Sequence, residues 1–241
     1  MALVGLAMAP LLLCARPVGG GTPAFVQHPR QPGSVMGVRT PCPWVGLTFD
    51  DGPHATLTPQ VLDLLARHGA TATFYVVGER VMVRPDLIRR AAAEGHSIGN
   101  HTWDHRNLTG RATAEVLADL DATDAAIRDA GVRPVAEVRP PRGRLDPWLG
   151  DAVRASARVV VHWEMSPDRL ARRWDARRVA DHLVRRTRPG AIFLLHDGGP
   201  AGERSIRTLA PLLEAFEARG LRAVSVDRLL DSAVQRTCPP T

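Results

Sequence analysis

Two adjacent carboxylates close an apolar run in Val45-Gly46-Leu47-Thr48-Phe49-Asp50-Asp51-Gly52-Pro53. The run reads as a buried strand and Gly-Pro as the turn that ends it, so both acids stand where α/β enzymes keep their chemistry. Taken alone, Asp-Asp-Gly-Pro is more often plain turn chemistry, since Asp bonds its own backbone and Gly supplies positive φ. Further along, His101-Thr102-Trp103-Asp104-His105 carries imidazoles at i and i+4, which on a helical turn share a face and reach one ion. Arg139 precedes Pro140-Pro141, where a guanidinium on a stiff backbone can pair with a carboxylate and position it. His196 follows Leu194-Leu195 at the end of another apolar strand, a place suited to proton transfer near neutral pH. Each has a plain alternative: a surface pair of imidazoles, a surface Arg before a Pro turn, a satisfied core His. His54, His68 and His182 read as solvated or helix-surface residues.

The elements that must position these groups alternate. Strands are expected near Val45–Phe49, Ala70–Val77, His96–Asn100, Val135–Val138, Arg158–Trp163, Ala191–Leu195 and Leu221–Ser225. Between them, helical patterns start at Thr58-Pro59 and cover Pro85–Ala93, Thr113–Ala130, Asp146–Ala155, Ala176–Thr187, Ser205–Arg219 and Val226–Ala233. Such alternation predicts a parallel sheet, and about seven units favour a closed or nearly closed barrel. The carboxylates, imidazoles and Arg139 then all fall at C-terminal strand ends, where a barrel's loops converge.

At 241 residues, 44% hydrophobic and 23% charged, the chain fits one globular domain with a full core. All its basic residues are Arg, and the formal charge is +6. The arginines are scattered along helices (Arg89-Arg90, Arg172-Arg173, Arg177-Arg178, Arg185-Arg186) without interleaved aromatics, which argues against nucleic acid and for a solvated surface. Residues 1–22 read as a signal-peptide region: Met1–Ala15 is apolar, is too short to span a bilayer, and lacks only the usual early positive residue. Leu13 before Cys14 argues against a lipoprotein site. Residues 23–41, rich in Gly and Pro, read as a linker or irregular N-terminal arm, and 42–241 as the domain. In an exported chain Cys42 and Cys238 read as a disulfide tying the terminus to the first strand, two free thiols being the alternative. A secreted or cell-wall-associated monomer, without stable membrane insertion after signal removal, is expected.

Together these motifs resemble the polysaccharide deacetylases of carbohydrate esterase family four, over about Trp44 to Leu230. Thr48–Pro53 is similar to the family's first motif residue for residue, and His101–His105 to its second. Arg139–Gly143 resembles the third, with Arg142 where Tyr is common, and Leu195-His196-Asp197 resembles the fifth. The resemblance implies a distorted (β/α)7-8 barrel holding one divalent ion through Asp51, His101 and His105. Zinc is expected there, though the same donors accept cobalt or nickel. It further implies Asp50 as general base oriented by Arg139, and His196 as the acid that protonates the leaving amine. Leu195 would line an acetate pocket, Arg142 and Trp163 would meet the substrate, and a backbone N–H near Arg142 would meet the oxyanion. The implied reaction is N-deacetylation of an N-acetylglucosamine glycan, peptidoglycan or chitin oligomers, with O-deacetylation of xylan as the close alternative.

The fourth motif departs from the family. In Trp163-Glu164-Met165-Ser166-Pro167-Asp168-Arg169-Leu170, Ser166 and Arg169 occupy the two usual Asp positions. Asp168, one residue off, or Glu164 are the candidates to replace the carboxylate that supports His196. If neither reached it, the imidazolium would lose a stabilising charge. The chain could then be a weakly active or inactive glycan-binding homologue.

Overall fold

The computed structural model describes residues 24–238; the signal-like segment, residues 1–22, lies outside them. An antiparallel hairpin, β1 (Phe25–His28) and β2 (Gln31–Val38), comes first. Then follow β3 (Trp44–Gly52), α1 (Leu57–Arg67), β4 (Thr73–Val76), α2 (Gly78–Val83), α3 (Pro85–Ala93), β5 (Ser97–Asn100), α4 (Thr113–Asp129) and β6 (Glu137–Val138). The chain continues through α5 (Pro147–Ala155), β7 (Val159–Val160), α6 (Ala176–Arg186), β8 (Ile192–His196), α7 (Gly202–Ala218), β9 (Arg222–Val224) and α8 (Val226–Gln235). Strands β3 to β9 form one parallel sheet in the order β7-β6-β5-β4-β3-β8, with β9 paired to the start of β3. The sheet curls into the distorted α/β barrel that the alternation implied.

Strand alternation sorts the side chains. Along β3, Val45, Leu47 and Phe49 join the core beneath the helices, with Val61, Leu62 and Leu65 of α1 and Leu209, Leu212, Leu213 and Phe216 of α7. Phe193 of β8 meets Phe216 edge to face at 4.9 Å. Thr48 and Asp50 take the opposite face, inside the barrel. A second cluster, with Val35, Val38, Trp44, Tyr75, Val161 and Ile192, fills that interior beneath the site.

The N-terminal arm is not irregular, as its Gly and Pro content suggested. Val35 bridges Val161 beyond β7, and Gly37 bridges Ala191 ahead of β8, so β2 occupies the opening between the two edges of the curled sheet. Val38 N donates to Gly190 O at 2.8 Å and His162 N to Val35 O at 2.6 Å. Val35 and Val38 are buried. The signal for this hairpin is non-local, because the edges it covers lie more than a hundred residues away. Sequence reading also passed over α2, whose single turn and a half carries little periodicity.

Cys42 and Cys238 are joined by a disulfide, their Cα atoms 5.4 Å apart. Among the described residues no helix is long and apolar enough to cross a membrane.

Candidate metal centre and catalytic residues

Successive residues of a regular strand point to opposite faces, so Asp50 and Asp51 could not both enter the barrel mouth from an unbroken β3. The register solves this. Asp50 lies opposite Tyr75 of β4 and His196 of β8, but Gly52, not Asp51, pairs with Val76. Asp51 is the extra residue of a bulge, at φ 70°, and the bulge turns its carboxylate to the side on which Asp50 already stands. Asp197, next to His196, backs this turn: it accepts from Thr58 Oγ1 at 2.5 Å and occupies the space a Cβ on Gly52 would need. Full burial pushes its carboxyl up to about 7.

The two imidazoles do not share a helical turn, contrary to the spacing argument. Residues 101–105 form an irregular loop after β5, with Thr102 at φ 71° and His105 at φ 59°. Its supports come from Asn100 beside it and from two helices elsewhere in the chain. Asn100 Oδ1 accepts from Thr102 N at 2.9 Å, Asp119 Oδ1 accepts from Trp103 N at 2.7 Å, and the first N–H groups of α2 bond the carbonyls of Thr102 and Trp103. The loop brings His105 Nε2 to 3.2 Å and His101 Nε2 to 3.5 Å from Asp51 Oδ1.

These donors fit a divalent ion. Ligand atoms of Asp51, His101 and His105 all lie within 4.8 Å of one another. His101 Nδ1 donates to Arg139 O at 2.6 Å, which leaves Nε2 bare and facing Asp51, the arrangement metal-bound histidines adopt. Burial alone would raise the Asp51 carboxyl, but whenever the rings are protonated the His101 contact and the charges of His101, His105 and His196 outweigh it and hold it at about 2. Burial, then His101, lowers His105 and favours the neutral ring.

Asp50 is buried beside this triad, with Oδ2 3.6 Å from His101 Nε2. Arg139, wholly buried, fixes its other oxygen: Nη1 donates to Asp50 Oδ1 at 2.7 Å and to Thr48 Oγ1 at 2.6 Å. Nε donates to Val161 O at 3.2 Å and Nη2 to His162 O at 3.1 Å, while the guanidinium lies 4.1 Å over the Tyr75 ring. A charge with all three nitrogens engaged in this way has one position, and it hands that position to Asp50.

Across the mouth, His196 Nδ1 lies 3.6 Å from Asp168 Oδ2, an ion pair just beyond hydrogen-bond length. Burial lowers the His196 pKa, but the Asp168 contact and the Asp50 and Asp51 charges outweigh it, and the net shift is upward. Glu164 is engaged elsewhere, with Arg188.

The remaining expected residues divide. Arg142 is exposed on the loop after β6, in the left-handed region at φ 60°. Trp163 is half-buried, 5.5 Å from the Arg139 guanidinium, and its ring occupies the space a Cβ on Gly143 would need. Leu195 is not at the site. It is wholly buried in the core beneath the helices with Phe193, because alternation along β8 puts Leu194 on the His196 face and Leu195 on the other. Sequence reading missed Asn100, Asp119, Tyr75 and His162, whose contacts come from elements distant in the chain. The only local signal, for all but Asp119 in the middle of α4, was their place at or near strand ends.

Residues 37–159 match the family model for polysaccharide deacetylase. The chain is 40% identical over 205 residues to a chitooligosaccharide deacetylase of Bradyrhizobium sp., covering 79% of this chain and 90% of that one. It is 34% identical over 195 residues to a peptidoglycan-N-acetylglucosamine deacetylase of Bacillus cereus, covering 77% and 87%. Among solved structures it resembles a family 4 acetyl xylan esterase from Clostridium thermocellum in complex with a cobalt ion, at 30% identity and TM-score 0.69, covering 78% and 90%. With its curled sheet and strand-end motifs, the chain belongs to the polysaccharide deacetylase family and is a hydrolase.

Proposed function

We propose that this chain is an exported, divalent-metal-dependent deacetylase that removes N-acetyl groups from an N-acetylglucosamine glycan, either chitin oligomers or peptidoglycan. The observation that carries this reading is the division of labour within Asp50-Asp51. Asp51 points at two imidazoles, whereas Asp50 is held by Arg139 beside them. When bound at Asp51, His101 and His105, a divalent ion supplies Lewis acidity to water and to the acetyl carbonyl. Asp50, acceptor-only and fixed through one oxygen, takes the water's proton on the other. His196, on the adjacent strand at the same level, carries a proton for the leaving amine and is supported in its charged form by Asp168. The Arg142 backbone N–H, on a residue held in the left-handed region, is the donor for the developing oxyanion. Zinc suits one carboxylate and two imidazoles, and cobalt or nickel would also serve.

The two curated relatives, named for chitooligosaccharides and for peptidoglycan, support the amide reading. The likeness to an acetyl xylan esterase supports ester hydrolysis as a second reading on the same residues. Acetate released from chitin oligomers, peptidoglycan and acetylated xylan, each with and without chelator, separates them. Chelator-sensitive release from the first two and not from xylan is expected; release from xylan alone would transfer the assignment to the esterase, and no release from any would end the enzyme reading.

A further inference from the structure

We propose that Gln31, at the tip of the N-terminal hairpin, is a positioning residue that clamps the Arg142 loop in the conformation that presents its backbone N–H to the oxyanion. The inference rests on the reading above in assigning that role to Arg142, and it concerns a residue outside the matched family segment, which begins at residue 37.

The loop needs a clamp. Arg142 at φ 60° and Gly143 at φ 64° are consecutive left-handed residues, a conformation that costs little at Gly but is disfavoured for an Arg. Its own hydrogen bonds are short-range: Gly143 N donates to Pro140 O at 2.9 Å and Arg144 N to Pro141 O at 3.1 Å. The long-range tie is Gln31, whose Nε2 donates to Gly143 O at 2.9 Å from 112 residues away.

Gln31 is itself fixed. Its Oε1 lies 2.6 Å from His162 Nε2, and because the amide nitrogen is spent on Gly143, the ring nitrogen must donate to that oxygen. His162 is buried against the His28 ring, with centroids 4.6 Å apart, and burial lowers its pKa to about 3, so it remains neutral with a fixed tautomer. The His162 carbonyl accepts from Arg139 Nη2. One residue therefore joins the guanidinium that orients Asp50 to the amide that holds the Arg142 loop, and the hairpin that closes the barrel also sets one wall of the site.

The test compares the full chain with Gln31→Ala and Gln31→Glu, the latter keeping the acceptor for His162 but losing the donor to Gly143. Hydrogen exchange of the amides at 142–144 is expected to accelerate about tenfold or more in both variants, with α3 and β5 unchanged. On chitin tetramer, kcat is expected to fall about tenfold with KM within about twofold. The same Gln31→Ala change made on top of Arg142→Gly, where the left-handed conformation needs no support, is expected to cost less than about threefold relative to Arg142→Gly alone. Unchanged exchange at 142–144, acceleration spread over the whole chain, normal exchange in Gln31→Glu, or an equal kcat loss in both backgrounds would overturn the proposal. A wild-type protein that releases no acetate would sink the hydrolase reading, whereas the exchange data would still decide whether the clamp exists.

Discussion

Asp168 Oδ2 stands 3.6 Å from His196 Nδ1, although Asp168 is one residue away from where the family's fourth motif places a carboxylate. The segment around it is anchored to β8 through the Met165 to Phe193 bridge and the bond from Leu194 N to Met165 O. Ser166 Oγ accepts from Asp168 N at 3.3 Å, and the backbone then turns Asp168 inward. A carboxylate displaced by one residue in the sequence thus still comes within ion-pair distance of the imidazole.

Asp168→Asn should therefore lower the pKa of His196, since a carboxylate that favours the imidazolium is replaced by a neutral amide. An acid is useful only while protonated, so activity lost on the alkaline side of the pH profile should be lost at lower pH in the variant. A loss of kcat of about tenfold or more at pH 8 is expected, within the range ascribed to general acids. A pH profile superimposable on the wild type would show that Asp168 does not support His196.

Arg139→Ala would leave Asp50 buried without its counter-charge, and the cost of an unpaired buried charge is roughly 3–5 kcal/mol. Urea unfolding should show a loss of this order together with loss of acetate release. Arg139→Lys retains the charge but cannot serve Asp50, Thr48, Val161 and His162 at once, so it should recover stability better than kcat. Equal recovery of both would argue against a role in orienting Asp50.

Glu137 of β6 is 3% exposed, with Oε2 lacking a partner. Burial, followed by the charge of Asp227, pushes its carboxyl up to about 8 from an ordinary 4.5. Between those values the folded chain holds a proton that the unfolded chain has lost, so this group's contribution to stability is full below pH 4.5 and is lost as pH rises through 8. Glu137→Gln should match the wild type at pH 4 and exceed it at pH 8 in denaturant unfolding. A constant difference across that range would contradict the shift.

Reduction of the Cys42–Cys238 bond, or the paired change to Ser, removes a link closing nearly the whole domain, its ends 196 positions apart in the sequence. A stability loss on the order of 2–5 kcal/mol is expected by calorimetry, with the metal centre retained. An unchanged melting temperature would mean that the termini contribute little.

How much was legible depended on how local the cause was. The α3 boundaries, Pro85–Ala93, follow from Pro at the first helical position and Gly95 just beyond the end. Asp50, Asp51, His101, His105, Arg139 and His196 were legible as types at strand ends. The bulge that aims both acids inward was not, since it is set by pairing with β4. The His101–His105 spacing suggested a helical turn because spacing alone cannot reveal a loop braced by Asp119 and α2. Leu195 was assigned to the wrong face for want of the β8 register. The hairpin was missed because its partners, Val161 and Ala191, are distant in sequence.

The most direct test is acetate release from chitin tetramer by the zinc-loaded full chain, by the same chain after chelation, and by zinc-loaded Asp50→Asn. Release that stops on chelation, returns with zinc, and falls at least about a hundredfold in Asp50→Asn while zinc stays bound is the expected result. Release that persists without metal, or an Asp50→Asn variant as active as the wild type, would contradict the assignment of Asp51 to the metal and Asp50 to the proton.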